Sequence, residues 1–212
     1  MIRLYYASGS PWAWRVHMAL EEKGLEYEAT LLSFSAGDLK KPDYLAMNPH
    51  GKVPVLVDDG LSIYESQAIV EYLEDNYPAR ALLPSDPAAR ALARIEELEC
   101  TTYMSEAFRG LAQVAFFTPE DKRDPKTMNE RRADVRGEFD KLEIRAAARG
   151  GSFLMGKGLT RADTTWIPFV EIAGRAGVAL EASQTPWLAG WQGRMRERAS
   201  FQKSYPPHWR TS

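Results

Sequence analysis

NPHGKVPVLVDDGLSIYESQAI, residues Asn48–Ile69, carries the pattern on which the fold turns. Val53–Val57 and Leu61–Tyr64 are short apolar runs of strand character, and Asp58-Asp59-Gly60 lies between them. Asp-Gly accommodates the positive φ of a tight turn, so the spacing predicts an antiparallel hairpin. Ser66–Tyr77 follows at once and reads as a helix, with Ile69, Tyr72 and Leu73 on one side and Pro78 as its stop. Pro54 sits where its missing N–H is harmless, at the opening of an apolar strand. Two conformations suit it: a trans proline on a strand edge, or a cis bond that turns the preceding backbone outward to pair with an extended ligand.

Upstream of this stretch, Ile2–Tyr6 reads as a strand and Pro11 to about Lys23 as a helix, with Ala13, Val16, Ala19 and Leu20 on its apolar face. Ser10 stands at the N-cap, Pro11 at the first helical position and Gly24 at the close. Leu25–Leu32 is a second strand, and a short helix over Leu39–Met47 is stopped by Asn48-Pro49. The order β-α-β-α-β-β-α defines an α/β unit over residues 1–77. Pro78, Pro84 and Pro87 mark a linker over 78–87. Downstream, over 88–212, the character changes to all-helical. Ala88–Phe117 forms one long helical pattern, Thr127–Arg149 a second after the polar loop Thr118–Lys126, a third opens at Thr160, and a shorter one spans about Pro186–Arg198.

The bulk numbers remove several functional classes. A formal net charge of -2 in 212 residues, with no Lys/Arg block, argues against a nucleic-acid binder. No stretch reaches the roughly 18 apolar residues of a membrane span, and the N-terminus lacks the apolar run of a signal peptide. Cys100 is the single cysteine, which excludes an intrachain disulfide and suits a reducing, cytoplasmic setting. His17, His50 and His208 are scattered without ligand spacing, so no metal site is expected.

Three strand-to-helix or loop-to-strand junctions hold the chemistry. In Ser8-Gly9-Ser10-Pro11-Trp12-Ala13-Trp14-Arg15, a hydroxyl meets the free N–H groups and positive dipole of a helix start, a setting that favours an anion such as a thiolate. Read alone, Ser10 serves equally as a plain N-cap. The second junction is the approach to Pro54. At the third, Tyr64-Glu65-Ser66-Gln67, an acceptor and a hydroxyl at a helix start suit an amino group and a carboxylate together, or simply cap the helix.

Taken together the three junctions resemble a cytosolic glutathione transferase, nearly end to end. S-P-W-A-W-R-V is similar to the serine-type signature of the zeta, tau and related classes. N-P-x-G-K-V-P-V-L followed by E-S-Q-A-I-x-x-Y-L resembles the family's glutathione-binding core. G-L-T-R-A-D resembles the motif that opens the buried helix of the second domain, with Thr160 and Asp163 in a capping-box arrangement. The resemblance implies a thioredoxin-like α/β domain followed by an all-α helical bundle, with glutathione as co-substrate, a homodimer as the assembly and detoxification as the setting.

Under that resemblance, Ser10 matches the hydroxyl that stabilises the glutathione thiolate. Val53, before a cis Pro54, matches the residue whose backbone pairs with the cysteinyl unit. Glu65 and Ser66 match the grip on the γ-glutamyl end, and Lys40 and Lys52 fall near the glycyl carboxylate, with Lys41 and His50 as competitors. Tyr5 and Tyr6 lie near the hydroxyl position of tyrosine-type classes and, with Ser8 behind them, are the alternatives to Ser10. Trp12, Tyr103, Phe108, Phe116 and Phe117 are the candidates to line the second substrate's pocket, expected between the domains; each also suits a core. The tail Phe201–Trp209, aromatic and proline-rich, either folds over that pocket or packs on the helical domain, and the second is the expectation. Trp12 and Pro11 depart from the cysteine and second serine of zeta-type sequences, which weakens assignment to the isomerases of that class despite the shared Trp14-Arg15-Val16. The reaction implied is attack of the glutathione thiolate on a small hydrophobic electrophile. The alternatives are a glutathione-dependent cis-trans isomerase of the maleylacetoacetate type, and a non-catalytic binding relative.

Overall fold

Leu4 and Leu56 are fully buried side by side, and the sheet grows from that pair. The computed structural model describes residues 1–210. Strand β1 (Ile2–Ala7) runs parallel to β2 (Tyr27–Leu32), from Ile2↔Tyr27 to Ala7↔Leu32. Parallel neighbours need a crossover, here α1 (Pro11–Lys23). Gly24 at φ 65 closes that helix, with Leu25 N–H donating to the Leu20 carbonyl at 3.1 Å. On its other side β1 pairs antiparallel with β3 (Val55–Asp58), and β3 with β4 (Leu61–Tyr64), so the sheet order is β2-β1-β3-β4. Asp59 and Gly60 both take positive φ, 45° and 87°, as a two-residue hairpin turn demands. Asp58 anchors the turn by accepting from the hydroxyls of Tyr72 at 2.9 Å and Tyr77 at 2.5 Å.

Two boundaries differ from the sequence expectation for a proline reason. Pairing in β3 starts at Val55 rather than Val53, because Pro54 has no N–H to give to the ladder. The expected helix Leu39–Met47 is a single turn, Asp38–Lys40, followed by α2 (Pro42–Met47). Pro42 holds Lys41 extended, at φ -67 and ψ 140, and so divides the two. Helix α3 (Ser66–Asn76) completes the unit.

The chain divides into two compact units, one of Met1–Leu83 together with the segment from Glu197 on, the other Pro84–Arg196. Within the second, α4 (Pro87–Glu99) and α5 (Ser105–Phe116) are separated by a π-helical turn over Cys100–Met104, where the sequence pattern had indicated one unbroken helix. Ser105 reinforces the wide turn, its hydroxyl lying 2.7 Å from the Thr101 carbonyl and 3.2 Å from that of Thr102. Helices α6 (Pro125–Arg149), α7 (Arg161–Arg175) and α8 (Pro186–Glu197) follow. The first thirteen residues of α7, Arg161 to Ala173, are all buried, and Trp166 donates to the Glu96 carbonyl at 3.0 Å. Arg161 and Glu97 form a bidentate pair inside the unit, at 2.9 and 2.6 Å.

The tail requires a correction. The segment carrying α9 (Ala199–Ser204) groups with the α/β unit, not with the helical one. The cause is Trp14 of α1, whose ring meets Phe201, Tyr205 and Trp209 at centroid distances of 5.4, 5.7 and 5.8 Å. An aromatic cluster of that size removes enough apolar surface from water to choose the tail's partner.

Candidate functional site

The sheet register decides whether the three junctions meet. Tyr5, Val55 and Tyr64 stand in one row across β1, β3 and β4. Both pairings are antiparallel, so the end of β1, the beginning of β3 and the end of β4 share one edge of the sheet. The turn bearing Ser10, the Val53-Pro54 bond and the Glu65-Ser66 junction therefore emerge together. Adjacent strands lie about 4.8 Å apart, so the row spans roughly 10 Å. An extended tripeptide covers about the same length.

Ser10 is 9% exposed, and its Oγ accepts from the Ala13 N–H at 3.3 Å. It is thus an N-cap in fact. That role uses one lone pair and leaves the O–H able to donate to an anion. The rings of Tyr5 and Tyr6 pack edge-on, Tyr5 to Tyr44 at 6.3 Å and Tyr6 to His17 at 5.3 Å.

The Val53–Pro54 bond is cis. Its approach is held by side chains that sequence reasoning did not single out. Asn48, buried, donates its amide to the Lys52 carbonyl at 2.8 Å and accepts from the His50 N–H at 3.0 Å. Tyr44 donates its hydroxyl to the same Lys52 carbonyl at 2.7 Å, and burial pushes its pKa up to about 12, so it remains a donor. The only signal for Asn48 in the sequence was its position before Pro49, which reads as a helix stop. Gly51, at φ 57, leaves no room for a side chain: a Cβ there would lie 2.8 Å from the Leu39 carbonyl oxygen. That close approach brings the Lys40 and Lys52 segments together. Lys41 is committed to Asp38 at 2.7 Å, and Lys40 is exposed.

Glu65 has φ 67 and ψ 112, a conformation that a residue with a Cβ rarely adopts. Its side chain is exposed and makes no capping hydrogen bond to α3. Such backbone outliers cost on the order of 1–3 kcal/mol and gather at ligand clamps. Ser66, buried, is the first residue of α3, where backbone N–H groups lack helical acceptors. Gln67 accepts from Arg15 Nη2 at 3.0 Å, tying the start of α3 to α1. Arg15 had stood in the sequence only as part of a motif.

The other candidates separate. Trp12 is half-buried in the first turn of α1. Phe108 is buried and packs edge-on to Phe169 at 5.4 Å, while Tyr103 on the π turn is exposed. Phe116 and Phe117 are exposed at the end of α5. No cluster of three His, Cys, Asp or Glu suited to a metal ion occurs among the described residues, and no helix among them is long and apolar enough to cross a membrane.

Comparison with known proteins bears on the same residues. A family model described as the glutathione S-transferase N-terminal domain matches residues 9–76, which include Ser10, Pro54, Glu65 and Ser66. Glutathione S-transferase A of Pleuronectes platessa is 31% identical over 209 residues, covering 97% of this chain and 92% of that protein. Maleylacetoacetate isomerase maiA of Aspergillus fumigatus is 31% identical over 221 residues, covering 99% and 91%. The crystal structure of a glutathione transferase from Burkholderia graminis, with two glutathione molecules bound per subunit, matches with a TM-score of 0.85 at 25% identity, over 99% of this chain and 89% of that one.

Proposed function

This chain belongs to the glutathione S-transferase family, and from that premise we propose that its three junctions bind glutathione extended along one edge of the sheet, with the thiol at Ser10. The protein is a glutathione transferase; the assignment of parts within it is our reading. The observation that carries it is the strained Glu65 at the end of the row Tyr5, Val55, Tyr64. A residue held at positive φ with its side chain free of capping duty suits the γ-glutamyl amino group, and the N–H groups that open α3 suit the carboxylate beside it. In the centre, the Val53 backbone pairs with the cysteinyl unit across Pro54. At the far end Lys40 and Lys52 meet the glycyl carboxylate.

The chemistry asked of Ser10 is modest. A free thiol has a pKa of about 8.5, and each unit of depression is worth about 1.4 kcal/mol of thiolate stabilisation. One charge-assisted hydrogen bond and the N-terminus of α1 supply one or two such units. The thiolate then attacks an electrophilic carbon, and the protein contributes ionisation and proximity. Trp12, Tyr103 and Phe108 stand as candidates for shaping the electrophile site, with Tyr103 the most accessible of the three. Within this reading the protein works in the cytoplasm as a homodimer and detoxifies small electrophiles. The similarity to the Aspergillus fumigatus isomerase supports a second reading, in which the thiolate adds to a double bond and later leaves. Product analysis separates the two, since conjugation consumes glutathione and isomerisation returns it.

The test is a calorimetric titration with glutathione beside an ultraviolet scan for the bound thiolate, on the natural protein and on Ser10→Ala. The natural protein binds and shows a thiolate band at neutral pH. Ser10→Ala loses the band and roughly 10- to 100-fold in kcat, the range of a hydrogen bond to a charged group, while the glutathione Kd changes little. Unchanged turnover would remove Ser10 from the mechanism, and no binding at millimolar glutathione would remove the site.

A further inference from the structure

The tail does more than cover Trp14. From Arg198 onward it runs along α1 from the helix's last turn to its first. Arg198 pairs with Glu22 at 2.6 and 2.7 Å, Ser200 hydrogen-bonds the same carboxylate, and Lys203 reaches Glu21 at 3.2 Å. Trp14 then donates its indole N–H to Ser204 Oγ at 2.9 Å. Past the helix, a short turn over Pro207–Trp209 brings the tail to the loop that precedes α1. There His208 Nδ1 lies 2.5 Å from Ser8 Oγ. A Cβ on Gly9 would sit 3.3 Å from His208 Cε1 and 3.4 Å from Trp209 Cζ2. The tail thus ends in van der Waals contact with the turn that presents Ser10.

The weak point of that turn is Gly9. Gly9 holds φ 85, and glycine is the residue with most freedom to leave such a conformation. The turn closes by a bond of 3.2 Å from the Ser10 N–H to the Ala7 carbonyl, and Ser10 is held to α1 by the Ala13 N–H on its Oγ at 3.3 Å and the Trp14 N–H on its carbonyl at 2.9 Å. A group meant to stabilise a developing anion must be held to within about 0.5 Å. The tail supplies restraint from outside the loop: a hydrogen bond between His208 and Ser8, and the His208 and Trp209 rings against Gly9, the Trp209 ring meeting Trp14 as well.

We propose that the C-terminal segment Tyr205–Trp209 is a strap that positions the catalytic turn, and that His208, acting through Ser8, is a positioning residue for the Ser10 hydroxyl. This rests on the assignment of Ser10 to the glutathione thiol. A mere packing role predicts lost stability when the strap is damaged. A positioning role predicts loss of thiolate and of kcat at little change in glutathione KM, because a small misplacement of a reacting group acts on the chemical step.

The experiment uses the full chain with His208→Ala, Ser8→Ala, the double variant and His208→Asn, whose amide can occupy the place of Nδ1. Three quantities are read: kcat and KM for glutathione, the ultraviolet titration of bound thiol, and amide exchange over Gly9–Ala13 in the ligand-free protein. His208→Ala and Ser8→Ala each lower kcat about tenfold, raise the bound thiol's apparent pKa and leave KM within about twofold. The double variant is no worse than either single one, as expected of residues acting as a pair, and His208→Asn recovers most of the loss. Single variants with natural kcat and thiol titration overturn the proposal, as do additive losses or failure of asparagine to rescue. Should the natural protein show no thiolate band, the assignment of Ser10 fails by its own test. Amide exchange then decides the strap: faster exchange over Gly9–Ala13 in both single variants supports it, and natural rates overturn it.

Discussion

Glu65 shows what a single residue discloses and what it conceals. Its type and place before Ser66 and Gln67 were visible as a polar pair at a helix start, but its φ of 67 was not, because nothing in the letters distinguishes a strained glutamate from a relaxed one. The strain has a measurable consequence. Glu65→Gly relaxes the backbone and raises stability by up to about 1 kcal/mol, the strain relieved outweighing glycine's added freedom in the unfolded chain. The same change removes the side chain assigned to the γ-glutamyl end and weakens glutathione at least tenfold. Thermal unfolding beside glutathione titration tests both; a lower melting temperature would show that the conformation is not strained. Asn48 and Tyr44 were harder to see still. Their importance lies in a shared acceptor, the Lys52 carbonyl, which becomes a common target only after the loop has closed.

Elements were most legible where their ends are chemically marked. Ser10-Pro11 and Gly24 delimit α1 as read. Thr160 and Asp163 open α7 with the expected capping box, Asp163 accepting from the Thr160 N–H at 2.8 Å. Its carboxylate also takes the Thr160 hydroxyl at 3.1 Å, the Leu154 N–H at 2.9 Å and the Trp191 indole at 2.8 Å. Complete burial pushes the Asp163 pKa up, against the pull of these donors. Asp163→Ala leaves buried donors without an acceptor, each worth about 1–3 kcal/mol. The variant should lose about 4 kcal/mol or more, read as a lower midpoint in denaturant unfolding. A loss below 1 kcal/mol would mean that water replaces the carboxylate. The π turn at Cys100–Met104 is the opposite case. One extra residue per turn leaves no mark in a pattern rich in helix formers, so α4 and α5 read as a single helix.

Across the whole molecule, one buried imidazole makes a legible contribution to the response to pH. His17 sits between the rings of Tyr6 and Tyr27, and burial lowers its pKa from 6.5 to about 4, with Glu21 opposing. The unfolded chain takes up a proton below 6.5 while the folded chain resists until about 4. Stability is therefore lost as pH falls through that window, by on the order of 3 kcal/mol, and levels off below it. His17→Gln should flatten this slope relative to the natural protein in unfolding measured from pH 7 to 4; parallel curves would show that other groups govern the response. The α/β order, the hairpin and the all-helical second half were readable from residue order, because turns, caps and short-range periodicity are local physics; the family was readable only through the resemblance of its motifs. The partner of the tail was not. It depends on the aromatic cluster that Trp14 makes with residues some 190 positions away, and the meeting of the three junctions depends on strand register. Contacts between distant positions are set by which surfaces the folded chain brings together, and that is a property of packing in three dimensions rather than of any stretch of sequence.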